Sequence, residues 1–221
     1  MMAFVIGLST GATVLVGQAW GAQDITKVRQ IVGATLFMTL IGGTLIAFLG
    51  VVFAQNILAL LGIDPDIMHL SLPYVQWMLA GSPFLFIYII YTSILRGVGD
   101  STTPLIASGL TIFVGLIITP VLIKGLFGFP KLGIIGPAIA TTCGFMIVLF
   151  FLYNYLKRKE HPLRLCPELI QNIRYQPELT RLILKLGIPT GVQMVTNSVA
   201  ALVIIGLINQ YGSHATAAYG A

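Results

Sequence analysis

The sequence predicts an all-α fold, a polytopic bundle of six membrane-spanning helices. Composition is the first reason: 57% of the 221 residues are hydrophobic and 9% are charged, with a mean hydropathy of +0.94, outside the range of a soluble domain. Second, residues 3–20, 30–53, 70–95, 104–124, 132–156 and 182–210 form apolar stretches near the roughly 20 residues a helix needs to cross hydrocarbon. Third, the 12 basic and 7 acidic residues gather in the breaks and at the margins of those stretches, because charge inside a bilayer is costly. Barrel strands are excluded, since the runs are too long and lack alternation.

The first stretch begins without a basic leader, so it is no secretory signal. Its Gly7, Gly11, Gly17 and Gly21 give the spacing that lets helix backbones approach closely in lipid. The second stays apolar to Leu61, which predicts a bend or an interfacial run before the turn Gly62-Ile63-Asp64-Pro65-Asp66. On the third, Tyr74, Trp77, Phe84, Tyr88 and Tyr91, with Gly81 in the gap, share one helical face. That face is either a wall for flat, lipophilic or cationic ligands or two interfacial aromatic belts. Gly97-Val98-Gly99-Asp100 is a helix-to-helix turn, for a phosphate loop needs a preceding strand and a Lys-Ser/Thr ending. The fourth stretch carries Ser108, Thr111, Gly115 and Thr119 ahead of Pro120, which frees a backbone carbonyl. The sixth carries Thr190, Gln193 and Asn197 on one face. Such polar stripes either line a watery cavity or hydrogen-bond to neighbouring helices.

Orientation follows from basic residues in alternate breaks. One side holds Lys27, Arg29, Arg96, Lys157, Arg158, Lys159, Arg164, Arg174, Arg181 and Lys185, against Lys124 and Lys131 on the other. The first side is therefore cytoplasmic. The break from Lys157 to Arg181, with Pro162, Pro167 and Pro177 and a short helical patch near Leu169–Ile173, reads as a cytoplasmic linker. It separates five helices in residues 1–156 from one in 182–221. The apolar first and last residues give the expectation that this is a fragment, with more of the polypeptide on either side.

The basic residues lie in membrane-flanking loops, which argues against a nucleic-acid partner. Cys143 sits in an apolar run and Cys166 in the basic linker, which argues against a disulfide framework. His69, His161 and His214 lack metal-ligand spacing, and no pairing of nucleophile and base lies within the spans. The chain is not expected to be an enzyme or to hold a cofactor or metal.

Four segments, in order, resemble the multidrug and toxic compound extrusion family. Gly17-Gln18-Ala19-Trp20-Gly21-Ala22-Gln23-Asp24 resembles the end of that family's second helix. Leu95-Arg96-Gly97-Val98-Gly99-Asp100-Ser101-Thr102-Thr103-Pro104 resembles its fourth-to-fifth turn. Pro130-Lys131-Leu132-Gly133-Ile134-Ile135-Gly136-Pro137-Ala138-Ile139-Ala140-Thr141 resembles the start of its sixth helix, and Leu186-Gly187-Ile188-Pro189-Thr190-Gly191-Val192-Gln193 the start of its seventh. The resemblance implies helices two to seven of a twelve-helix, two-lobe transporter. It implies a secondary active multidrug antiporter of the bacterial inner membrane, exporting organic cations or amphipathic compounds against protons or sodium ions. A lipid-linked oligosaccharide flippase of the same superfamily, or an inactive truncated membrane protein, is the alternative.

The resemblance also names positions. Many members carry an Asn and an Asp where this chain has Gly115 and Thr119, and some carry a Glu where it has Asn197. The ion-coupling candidates left are Thr119 and Thr141. The cavity or substrate candidates are Thr190, Gln193, Asn197 and Tyr88.

Overall fold

The computed structural model describes residues 1–60, 65–125, 131–164, 169 and 171–209. Among them six helices are long and apolar enough to cross a membrane: α1 (Met2–Gly21), α2 (Ile25–Leu60), α3 (Pro65–Gly97), α4 (Thr102–Lys124), α5 (Gly136–Arg158) and α6 (Pro177–Asn209). The expected turn at Gly62–Asp64, the end of α2 at Leu61, Cys166 and His214 lie outside the described residues.

The helices overrun the apolar stretches. α2 begins at Ile25 and α6 at Pro177, each about five residues before its expected span, because backbone hydrogen bonding continues past the hydrocarbon edge. Asp24 starts α2 by accepting the Lys27 N–H on Oδ1 at 2.9 Å, and proline suits the first position of α6, where an N–H has no helical partner. At about 1.5 Å per residue the 36 residues of α2 exceed a hydrocarbon core of about 30 Å, so this helix projects beyond it or tilts.

α1, α2 and α3 pack on one another. α5 lies against α3, α4 against α5, and α6 against α1. The buried core draws on Ala12, Leu15 and Val16 of α1, Val28, Ile31 and Val32 of α2, Ile90, Ile94 and Leu95 of α3, and Leu156 of α5. Most of these lie toward the end of the bundle that carries the α1–α2 and α3–α4 turns, and the same core reaches Val5, Leu8 and Phe86. The segment after α5 adds to it: Leu163 and Leu169 are fully buried in the same core, and the Tyr91 hydroxyl donates to the Leu163 carbonyl. The second half of α2 and one face of α4, by contrast, expose Phe48, Val52, Leu105, Ile112 and Leu116, as lipid-facing surfaces do. The bundle is tighter at the end that carries the α1–α2 and α3–α4 turns than at the opposite end.

α1 meets α6 through glycine. A Cβ added to Gly7 would stand 2.7 Å from the Gly187 carbonyl oxygen, and one added to Gly11 2.5 Å from that of Ile183. Gly191 in turn faces Ala3. The pairing descends one helix as it climbs the other, so α1 and α6 are antiparallel and touch backbone to backbone.

Candidate functional site

At the end opposite the α1–α2 and α3–α4 turns, a cavity of about 260 Å³ lies between the start of α1, the first half of α3 and the start of α5. Tyr74, Met78, Gly81 and Ser82 of α3 face Thr141, Thr142 and Phe145 of α5, with Met1 and Met2 at the rim. Gly81 sets its width. A Cβ there would fall 2.0 Å from Thr142 Oγ1, so only glycine lets α3 approach α5 at this level.

Pro83 lies inside α3 and supplies no N–H to the carbonyl four residues back, that of Leu79. The Ser82 hydroxyl donates to that carbonyl at 2.7 Å, which repairs the loss from within the helix. Thr141 donates to the Pro137 carbonyl at 2.7 Å and Thr142 to that of Ala138 at 3.0 Å. Each hydroxyl thus spends its single proton on its own backbone and keeps acceptor lone pairs for a guest. The lining has rings, methionine sulfur and acceptor oxygens, and no Lys, Arg, Asp or Glu.

The candidate residues are not gathered in one place. Thr141 lines the cavity. Thr119 does not, but shares its depth: Gly136 lies beside Leu122 and Ile123, and Gly144 beside Val114. That antiparallel register places Thr119 level with Ile139 and Ala140, about one helical rise or two from Thr141. Tyr88 stands behind the cavity wall. Its ring tilts against Phe145 with centroids 5.3 Å apart, and its hydroxyl shares a 3.1 Å hydrogen bond with Ser108 on α4. Thr190 is half-buried beside the α1–α6 seam, while Gln193 and Asn197 are exposed. Gly191 lies opposite Ala3, and Gln193 and Asn197 follow it along α6. Met78, Ser82 and Thr142 escaped the sequence reading. Their signal was small and hydroxyl residues flanking Gly81 and Thr141, which shows only once α3 and α5 are placed side by side.

At the other end of the bundle, the α3–α4 turn holds a polar cluster. Leu95 accepts the Asp100 N–H and Arg96 the Gly99 N–H, both at 3.0 Å, and Gly99 takes a φ of +86°, the left-handed closure of a helix end that glycine favours. Asp100 then starts α4, accepting the Thr103 N–H at 3.0 Å and its hydroxyl at 2.5 Å. Burial pushes the Asp100 carboxyl up, but the Thr103 bonds and nearby His161 outweigh it and hold it below its ordinary value. His161 Nε2 lies 3.8 Å from Asp100 Oδ2, and its Nδ1 accepts the Leu163 N–H at 3.2 Å. Burial lowers the His161 value, with Lys159 adding to it and Asp100 opposing, so the contact is with a neutral imidazole near pH 7. A shallow groove of about 660 Å³ lies on the same face between the start of α2 and Arg174–Leu179. It carries both signs of charge and opens to water, unlike the intramembrane cavity.

Comparison with known proteins decides the family. The MatE family's sequence model matches residues 1–121, more than half of the chain. The chain belongs to the MatE family. This MatE chain is 38% identical over 220 residues to the probable multidrug resistance protein YoeA of Bacillus subtilis, covering all of itself and 48% of that protein. It is 30% identical to the probable multidrug resistance protein NorM of Thermotoga maritima, over 97% of this chain and 46% of NorM. A crystal structure of MATE in the bent conformation superposes with a TM-score of 0.86 at 22% identity, over 99% of this chain and 48% of that one. The last likeness shows the fold. The MatE chain spans about half the length of the curated relatives it matches.

Proposed function

We propose that this MatE chain supplies helices two to seven of a secondary active multidrug antiporter. It would contribute most of one lobe, the inter-lobe linker and the first helix of the second lobe. In this reading the protein sits in the cytoplasmic membrane of a bacterium, with the linker inside, and expels organic cations or amphipathic compounds in exchange for protons or sodium ions. The observation that carries it is the cavity between α1, α3 and α5, apolar and aromatic with acceptor oxygens and no basic residue. Rings and methionine sulfur attract cationic and flat guests. A pyrophosphate-bearing lipid would call for Arg or Lys, so the flippase reading has less support. The multidrug names of relatives such as YoeA point the same way.

Within these helices, Thr119 and Thr141 are the coupling candidates. A threonine hydroxyl does not titrate near neutral pH, so these two would serve a sodium ion through oxygen lone pairs. Proton coupling would need a carboxylate elsewhere in the whole protein.

The test uses the full-length protein in vesicles loaded with a cationic dye. An imposed proton or sodium gradient should drive dye movement, and Val75→Trp, which fills the cavity, should abolish it at unchanged protein level. Undiminished transport in that variant would remove the cavity from the pathway.

A further inference from the structure

A second crevice, between α2, α3 and α5, has no part in that reading. It encloses about 140 Å³ between α2, α3 and α5, lined by Leu36, Ile87, Tyr91, Leu149, Leu152 and Tyr153. That is the room of about four or five waters at roughly 30 Å³ each, yet its nearly all-apolar walls give water too few partners. Leu36 lies six residues inside the apolar stretch 30–53 and Leu152 four residues before the end of 132–156. At about 1.5 Å per residue, these depths of about 6–9 Å lie within one half of a hydrocarbon core about 30 Å thick.

At the cytoplasmic end of the crevice stands a cation. Lys157 lies one turn beyond Tyr153, and its Nζ sits 5.9 Å over the Tyr153 ring centroid. Among the described residues no carboxylate lies within ion-pair distance of it. Tyr153 is 38% exposed, so ring and ammonium together form the rim of an apolar slot at headgroup depth. We propose that this slot binds an anionic phospholipid of the inner leaflet, a short segment of one acyl chain lying along Leu36, Ile87 and Leu149 and the phosphate meeting Lys157. The charge argues for this occupant: a zwitterionic lipid gains little from an unpaired ammonium, whereas an anionic headgroup gains a charge-assisted hydrogen bond. A purely apolar compound would fill the crevice and ignore Lys157.

Native mass spectrometry of the protein, equilibrated with vesicles of equal phosphatidylglycerol and phosphatidylcholine, tests the assignment. The protein should retain phosphatidylglycerol about fivefold over phosphatidylcholine, the worth of one cation at an anionic surface. Lys157→Gln should bring that ratio close to one. Leu149→Trp should remove retention of both lipids. Arg158→Gln, a neighbouring cation on a different side of α5, should leave the ratio unchanged. Equal retention by the unaltered protein would overturn the site, as would no retention because another part of the polypeptide covers the crevice. So would equal losses from Lys157→Gln and Arg158→Gln, which mark diffuse surface charge. Melting curves of the three variants confirm folding, and Lys157 and Arg158 are exposed, so their exchange leaves the core intact.

Discussion

Three helix ends, those of α1, α3 and α5, close in the same way, one residue at a time. Gln23, Gly99 and Glu160 take φ values of +60°, +86° and +48°. The residues that follow, Asp24, Asp100 and His161, donate their N–H groups back to Ala19, Leu95 and Leu156. Only Gly99 was legible as a turn, because Gln and Glu carry no sequence signal for a left-handed backbone. The third closure puts His161 beside Asp100 and gives the chain a pH-dependent contact. Its folded value lies below the ordinary 6.5, so between the two values the unfolded chain binds more protons and stability rises with pH. The contribution is complete above about pH 6.5 and is lost as pH falls toward the folded value. Protonation at Nδ1 would also cost the bond from the Leu163 N–H. Melting temperature in detergent should therefore drop between pH 7.5 and 5, and His161→Gln should flatten that drop. Parallel curves for the two proteins would assign the pH dependence to other groups. Asp100 acts in a lower window, its stabilisation persisting until pH falls below the ordinary 3.8.

Between elements, small residues decide who packs on whom. The spacing of Gly7 and Gly11 predicted a close helix contact but could not name the partner, since any second smooth face would serve. The structure names α6 through Gly187 and Gly191. Gly17 belongs to another contact, with the Gly97 carbonyl, and Gly21 meets nothing within 4 Å. Element type and order were legible because hydrophobic length alone dictates helices in lipid. Helix ends were less so, because hydropathy marks the hydrocarbon edge and backbone hydrogen bonding does not stop there. Gly7→Leu should force α1 from α6 and cost about 1–3 kcal/mol, the usual toll of overpacking. Gly21→Ala, where space is open, should be close to neutral or mildly stabilising. Denaturation followed by helicity in detergent separates the two. Equal effects at Gly7 and Gly21 would mean that the seam is not tight in the membrane.

Across the whole molecule, the core at one end and the cavity at the other set what each polar stripe can do. Sequence spacing showed that Thr190, Gln193 and Asn197 share a side of one helix, but not what lies opposite, which depends on how the helices are placed in three dimensions. In the structure Thr190 flanks the glycine seam, while Gln193 and Asn197 stand beyond it and exposed. An amide facing hydrocarbon leaves its donors unpaired at a cost of several kcal/mol. In the whole protein these two meet either water in a cavity or another helix. If they line a cavity, Asn197→Leu in the full-length protein should shift the drug profile or the ion dependence of transport while moving the melting point little. If Asn197 instead bonds to a helix of the other lobe, the same change should lower stability by about 0.6–2 kcal/mol per lost bond and leave the profile intact. Transport assays with several dyes, run beside melting curves on the same preparations, distinguish these outcomes. An unchanged profile with a lowered melting point would assign Asn197 to packing between the lobes.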